Sequence, residues 1–503
     1  MSDIANSGGT SLGDPKWDKA FFGHPRGLST LFFTEMWERF SYYGMRAILI
    51  LFMTASLDTG GMGFDVVKAG AIYGLYTGMV YLLTLPGGWI ADNILGQRKA
   101  VFLGGVLIAS GHFILSIPSQ DFFYYGLMVI APGVGLLKPN VSAMVGQLYQ
   151  KTDARRDAGF SIYYMGINIG AFLSPLVCGY VGQRVDWHMG FMVGGIGMVL
   201  GLIQFALGGS FLGNAGITPP GAKTPEALAV AKKRGFTAGL VTAVIIGAAV
   251  VLANSGMITI SPESVSNAFG LLLFLVTIVF FTWLFGFNSW TSSERNKLIV
   301  VGIFFVATIF FFSAFEQAGS TLNLFAERDT NNTVLGMDFP ASWYQSLNAL
   351  FIIALAPVFA WLWIWLGSKE PSSPTKFACG LLFVSLGFAV MILAALAAGN
   401  GTLVSPMWLV VTYLLHTIGE LCLSPVGLSA MTKLAPERVT GLVMGVWFLG
   451  PSIANYISGR LAGFYESMPL WQLFGFVTIF SLGSALVMTL LVPWTKKLMG
   501  EVR

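Results

Sequence analysis

Charge is scarce in this sequence. Aspartate, glutamate, lysine and arginine supply only 10% of the 503 residues, against 55% hydrophobic and 14% aromatic, and mean hydropathy is +0.72. A soluble globular chain carries about 25% charged residues, so that class is excluded. Cysteine is nearly absent: Cys178, Cys379 and Cys422 lie in apolar segments at unrelated spacings, which leaves no disulfide framework or cysteine metal site to expect. His24, His112, His188 and His416 are equally scattered. No metal or cofactor is therefore expected. Neither H-E-x-x-H nor G-x-S-x-G occurs in a hydrophobic segment, so an intramembrane enzyme, which would need such a constellation, is the least favoured class. Residues 1 to 25 hold no apolar core ahead of a small-residue cleavage site, and no cleavable signal peptide is expected. The net charge of +4 needs no nucleic-acid partner, because the positive-inside rule accounts for it.

What is abundant is apolar sequence in runs long enough to span a bilayer. Fourteen spans are expected, at 28–57, 67–92, 98–117, 121–145, 155–181, 187–212, 236–254, 266–287, 297–325, 343–366, 376–397, 404–432, 438–463 and 470–495. Helices are expected throughout, since a barrel would show short alternating strands. With both termini cytoplasmic, 21 of the 28 basic residues fall in inner segments, and only Lys68, Arg184 and Arg328 fall in outer ones. The longest loop, around 213 to 235, is basic and reads as a linker. The spans at 236–254 and 266–287 carry no charge and read as an inserted, peripheral hairpin. The expected organisation is a tail (1–27), a six-helix bundle (28–212), linkers with the hairpin (213–296), a second six-helix bundle (297–495) and a tail (496–503). A short echo, K-P-N-V-S-A-M at Lys138–Met144 and S-P-V-G-L-S-A-M at Ser424–Met431, agrees with two related halves around a midplane site.

The chain's polar stretch is E-M-W-E-R-F-S-Y-Y-G-M-R, Glu35 to Arg46. Glu35, Glu38, Arg39, Tyr42, Tyr43 and Arg46 follow the spacing of one helical face. That face extends roughly 16 Å, enough to line a path rather than a point. Charges deep in a bilayer are costly and mark functional sites by default. Seven stand out: Glu35, Glu38, Arg39, Arg46, Lys138, Glu316 and Glu420. Four acids against three bases leave one carboxylate to carry a proton. From one side, Arg46 lies roughly 27 Å and Glu316 roughly 28 Å along their spans; from the other, Lys138 lies roughly 26 Å and Glu420 roughly 24 Å. The depths match Arg46 with Glu316 and Lys138 with Glu420, pairs suited to closing one side while the other opens. Tyr164 and Asn168 share a face, as do Gln345 and Asn348, and both sets read either as cavity lining or as helix–helix hydrogen bonding. Pro86, Pro139, Pro175, Pro357 and Pro425 are expected kinks.

At these residues the chain resembles the proton-coupled oligopeptide transporter family of the major facilitator superfamily. The carriers are E-x-x-E-R-F-x-Y-Y-G from Glu35 to Gly44, L-K-P-N (Leu137–Asn140), F-S-I-Y-Y-M-G-I-N-I-G around Tyr164, F-E-Q (Phe315–Gln317), Q-S-L-N (Gln345–Asn348), G-E-L-C-L-S-P-V-G-L-S (Gly419–Ser429) and G-V-W-F-L-G (Gly445–Gly450). The less specific G-G-W-I-A-D-N-I-L-G-Q-R-K (Gly87–Lys99) is similar to the superfamily's loop after helix two.

The resemblance implies an all-α membrane protein with the major facilitator fold, two six-helix bundles plus an inserted hairpin, importing di- and tripeptides with protons. It implies proton coupling at Glu35, Glu38, Arg39 and Glu316. Arg46 and Lys138 would attract the peptide carboxylate, and Glu420, Asn168 and Asn348 would hold its amino terminus. Tyr42, Tyr43, Tyr76, Tyr164 and Trp447 would wall side-chain pockets, with Ser424 beside them. Tyr163 stands where the family often has Phe, with a mild effect expected. Ala349 replaces a usual Pro, and the second span lacks a histidine. Protons would be the coupling ion, peptides and the bilayer the partners, and the chain a monomer in the cell (inner) membrane. The alternative is the same scaffold carrying nitrate or another small metabolite.

Overall fold

The computed structural model describes residues 18–500 apart from 151, 287, 335 and 400. Residues 1–17 of the expected tail, with Lys16, and Lys151 and Arg503 of the inner-side count lie outside the described residues. Among the described residues there are sixteen α-helices: α1 Arg26–Thr54, α2 Val66–Leu82, α3 Thr84–Ile90, α4 Gln97–Leu115, α5 Gln120–Gln147, α6 Arg156–Arg184, α7 Trp187–Leu207, α8 Pro225–Asn254, α9 Pro262–Gly286, α10 Ser292–Phe315, α11 Thr321–Arg328, α12 Ser346–Leu366, α13 Ser373–Ala398, α14 Met407–Leu434, α15 Thr440–Ala462 and α16 Leu470–Met499. A two-stranded hairpin, β1 Thr333–Val334 with β2 Met337–Asp338, sits between α11 and α12. Joined across their breaks, α2 with α3 and α10 with α11 give fourteen long helical passages. Twelve are long and apolar enough to cross a membrane. The remaining two are α1, which carries Glu35, Glu38, Arg39 and Arg46, and α15.

Three boundaries differ from expectation for identifiable reasons. The expected span 67–92 breaks at Leu83, between α2 and α3. Pro86 has no N–H to give the carbonyl one turn before it, and the chain then adds a π-helical turn at Ala91–Leu95 before Gly96, at φ 77°. The span 297–325 breaks at a 3-10 turn, Glu316–Gly319. The loop 213–235 becomes helical at Pro225, where Thr224 accepts the Ala227 N–H and Pro225 takes the first helical position.

The chain packs as two compact units: residues up to Tyr43 with 83–174 and 191–258, and residues 44–82 with 175–190 and 259–503. In the first, α4 packs along α5. A Cβ on Gly104 would lie 2.6 Å from the Gly133 carbonyl, and one on Gly133 would lie 2.8 Å from the Gly104 carbonyl. In lipid, helices associate through close approach rather than water exclusion. Gly133→Leu is therefore expected to separate α4 from α5 and lower the unfolding temperature in detergent, whereas Leu at the open Gly239 should leave it unchanged.

At the edge of this unit, Arg155 grips Asp18 at 3.1 Å and Asp153 at 2.9 Å. Its hydrogen bonds hold the Asp153 carboxyl below the usual carboxylate value of 3.8. That contact is present above this value and is lost as pH falls below it. Hydrogen exchange at the Arg155 amide, which donates to Asp153 Oδ1, should therefore accelerate in that acidic range.

In the second unit α13 lies between α14 and α16, and α2 runs along α15. Phe304 of α10 stacks on Phe377 of α13 with centroids 4.3 Å apart. Burial is least in α8 (0% of its apolar window), α12 (11%) and α9 (17%), so α8 and α9, the expected hairpin, are among the helices presented to lipid.

Candidate functional site

In the first unit the polar face of α1 is buried, with Glu35, Glu38 and Arg39 each at most 3% exposed. The two acids are not equivalent. Arg39 grips Glu38 with both arms, through Nε to Oε2 and through Nη2 to Oε1 at 2.7 Å. This forked geometry is the strong form of the arginine–carboxylate contact. Glu35 receives only a looser approach, 3.5 Å from Arg39 Nε to Oε1. The buried Tyr163 of α6 also interacts with the Glu35 carboxylate. Glu35 Oε2 is buried with no hydrogen-bond partner among the described residues.

Arg39 also lies over the Tyr42 and Tyr43 rings, at 5.0 and 5.8 Å. These two tyrosines therefore pack against the charged cluster itself. Lys138 is half-buried on α5, next to Pro139, and its positive field reaches Glu35. Asn168 donates one amide hydrogen to the Tyr164 carbonyl of its own helix at 2.9 Å, while Tyr164 is 39% exposed.

In the second unit the break after α10 sets up the site. Arg46 Nη2 lies 2.7 Å from Glu316 Oε2. That oxygen makes no well-aligned hydrogen bond, so the contact is mainly electrostatic. Both residues are buried, at 5% and 4% exposure. Arg46 further donates from Nε to the Tyr73 hydroxyl at 2.9 Å and from Nη2 to the Glu316 carbonyl at 3.4 Å. The 3-10 turn thus presents both carbonyl and carboxylate of Glu316 to one guanidinium. Gly319 is required at this turn, since a Cβ there would overlap the Tyr73 hydroxyl and approach Arg46 Nε to 2.7 Å.

Asn348 donates to Glu420 Oε2 at 2.9 Å and to Thr417 at 3.1 Å, joining α12 to α14. Glu420 also feels the charges of Glu316 and Arg46. Tyr76 is buried on α2. Trp447 fills the space above Gly427, and the buried Ser424 hydroxyl has no hydrogen-bond partner among the described residues. Gln345 lies in a 3-10 turn ahead of α12 and reaches the Ala47 carbonyl at 3.4 Å.

Three participants were not legible as such in the sequence. Tyr73 and Thr417 look like ordinary residues of apolar helices, and Tyr163 reads as a mild variant. Its hydroxyl, however, is set against the Glu35 carboxylate. Tyr163→Phe is expected to lower stability by roughly 1–3 kcal/mol, the worth of a hydrogen bond to a charged or chargeable group. An unfolding midpoint equal to wild type would show that the hydroxyl contributes nothing.

The POT family profile matches residues 98–475. The chain is 42% identical over 505 residues to the peptide transporter YePEPT of Yersinia enterocolitica subsp. palearctica, covering 96% of this chain and 97% of that one. It is 38% identical to a di-/tripeptide transporter of Lactococcus lactis subsp. cremoris, covering 97% and 99%. Among solved structures, peptide transporter POT in complex with sulfate superposes with a TM-score of 0.90 at 42% identity, covering 97% of this chain and 99% of that one. A point mutant of peptide transporter POT in complex with alafosfalin gives 0.89 at 43%, with the same coverage. The fold is that of the major facilitator type, the protein is a multi-pass membrane transporter, and the chain belongs to the POT family.

Proposed function

We propose that this protein imports di- and tripeptides together with protons, its binding site opening alternately to the two sides of the cell membrane. The observation that carries this reading is the buried set of opposite charges. Arg46 and Lys138 suit a peptide carboxylate, and Glu420, steadied by Asn348, suits its ammonium. Glu35, beside the engaged Glu38–Arg39 pair, and Glu316 supply proton positions. Relatives named as di- and tripeptide transporters support the substrate class. The pairs Arg46–Glu316 and Lys138–Glu420 make and break as access alternates between the bundles at 28–212 and 297–495. Tyr42, Tyr43, Tyr76, Tyr164, Asn168, Ser424 and Trp447 shape the chamber for varied side chains. The chain works as a monomer with both termini in the cytoplasm. It needs no cofactor beyond the coupling proton, carries out no covalent chemistry and binds no nucleic acid.

The test is uptake of labelled dialanine into proteoliposomes, with and without an inward proton gradient. Accumulation above equilibrium that collapses with an uncoupler is the expected result. Gradient-driven uptake of nitrate or another metabolite, with none of dialanine, would replace the peptide reading by the alternative cargo.

A further inference from the structure

Away from the charged site, a groove of about 740 Å³ opens in the second unit between α9, α10 and α16. Its walls are Phe281 and Phe285 of α9, the face of α10 from Ile299 to Phe310, and the face of α16 from Ile479 to Leu491. The Phe310 and Phe480 rings meet edge to face, with centroids 4.9 Å apart. This contact closes one end; Ile299 of α10 and Leu491 of α16 line the groove farthest along each helix from it. Glycine hollows the groove on both helices. A Cβ at Gly302 would meet only Phe281, at 3.6 Å, and one at Gly483 would meet nothing within 4 Å. The polar lining residue Ser484 spends its hydroxyl on its own helix, at the Phe480 carbonyl (2.8 Å). The groove therefore offers hydrocarbon contact and nothing to an aqueous solute. From Ile299 to Phe310 it runs roughly 16 Å, close to the ~15 Å depth of one leaflet's hydrocarbon.

The open end is cationic. Arg295 lies one helical turn before Ile299, on the same face. It is exposed, and its side chain has no ion pair among the described residues. Its acidic neighbour Glu294 is engaged in capping Thr291 and faces Arg438 at 3.7 Å. Lys496 and Lys497, also exposed, follow Leu491 at the end of α16. An apolar groove one leaflet deep with Arg295, which has no ion pair among the described residues, at its mouth is complementary to a chain carrying an anionic head. We propose that this groove holds an acyl chain of one anionic phospholipid, its phosphate resting on Arg295. Bulk lipid contact would not distinguish headgroups, whereas this site does.

The test is native mass spectrometry of the full-length protein titrated with phosphatidylglycerol and, separately, with phosphatidylcholine of the same acyl chains. Wild type is expected to retain one phosphatidylglycerol in preference to phosphatidylcholine. Arg295→Gln should weaken phosphatidylglycerol binding roughly fivefold, the worth of one basic residue at a membrane surface. Gly483→Phe, placed in open space so that folding is spared, should remove the retained lipid at an unchanged unfolding temperature. Equal retention of both lipids by wild type would overturn the proposal. So would phosphatidylglycerol binding undiminished in both variants. Arg295 is exposed, so its variant remains informative even if Gly483→Phe fails to fold.

Discussion

Arg46→Leu is expected to destabilise the protein by about 3–5 kcal/mol, because it strands the buried Glu316 carboxylate without its counter-charge. The loss extends beyond the ion pair. The same guanidinium serves the Tyr73 hydroxyl and the Glu316 carbonyl, so three groups lose their partner at the point where α10 breaks. Tyr73→Phe alone should cost only about 1 kcal/mol, the net worth of one hydrogen bond. Replacing both charges, Arg46→Leu with Glu316→Leu, should recover much of the stability. A buried pair exchanged for apolar side chains is often neutral or stabilising, whereas a broken pair is not. On the proposed mechanism, transport should be lost in the single and the double variant alike, because the charges rather than the packing act in it. Unfolding in detergent for the four proteins of this cycle separates the cases. Additive losses would show that Arg46 and Glu316 do not depend on one another. Gly319→Ala tests the same junction without touching charge, since its Cβ would displace the Tyr73 hydroxyl from Arg46.

The helices were legible because each is a run of apolar residues of bilayer length, and the observed ends fall within a few residues of most expected ones. The breaks were not. Averaged hydropathy passes smoothly over Leu83 and over Glu316–Gly319, although Pro86 marks the first and Ala318-Gly319-Ser320 the second. The charged face of α1 was readable from its spacing alone. The 2.7 Å approach of Arg46 to Glu316 joins two charges whose depths agree when the helical rise is counted along each span. The neutral partners stayed hidden, because a tyrosine in an apolar helix looks the same whether it faces lipid or donates to a carboxylate. Tyr73 and Tyr163 are known as partners only once helices are packed. Asn168 shows a related limit: its spacing does not reveal that one of its amide hydrogens is given to the Tyr164 carbonyl of its own helix.

The difference between the two acids of α1 sets up an asymmetric experiment. Glu35→Gln keeps the shape of a protonated carboxyl, and Glu35 holds Arg39 only at 3.5 Å, so stability should fall by less than about 1 kcal/mol. A permanently neutral side chain cannot take up and release a proton, however. Proton-driven accumulation of peptide should therefore collapse while counterflow, which exchanges labelled for unlabelled peptide without a gradient, persists. Glu38→Gln is a different lesion. It removes the forked partner of a buried guanidinium and should cost about 3–5 kcal/mol, lowering counterflow together with driven uptake. Both variants are to be compared in proteoliposomes at matched protein content, with unfolding temperatures measured alongside. If Glu35→Gln lost counterflow as fully as driven uptake, Glu35 would be a structural partner of Arg39 rather than the residue that carries the proton. If Glu38→Gln alone spared counterflow, the coupling proton would belong to Glu38, and the fork to Arg39 would have to open in every cycle.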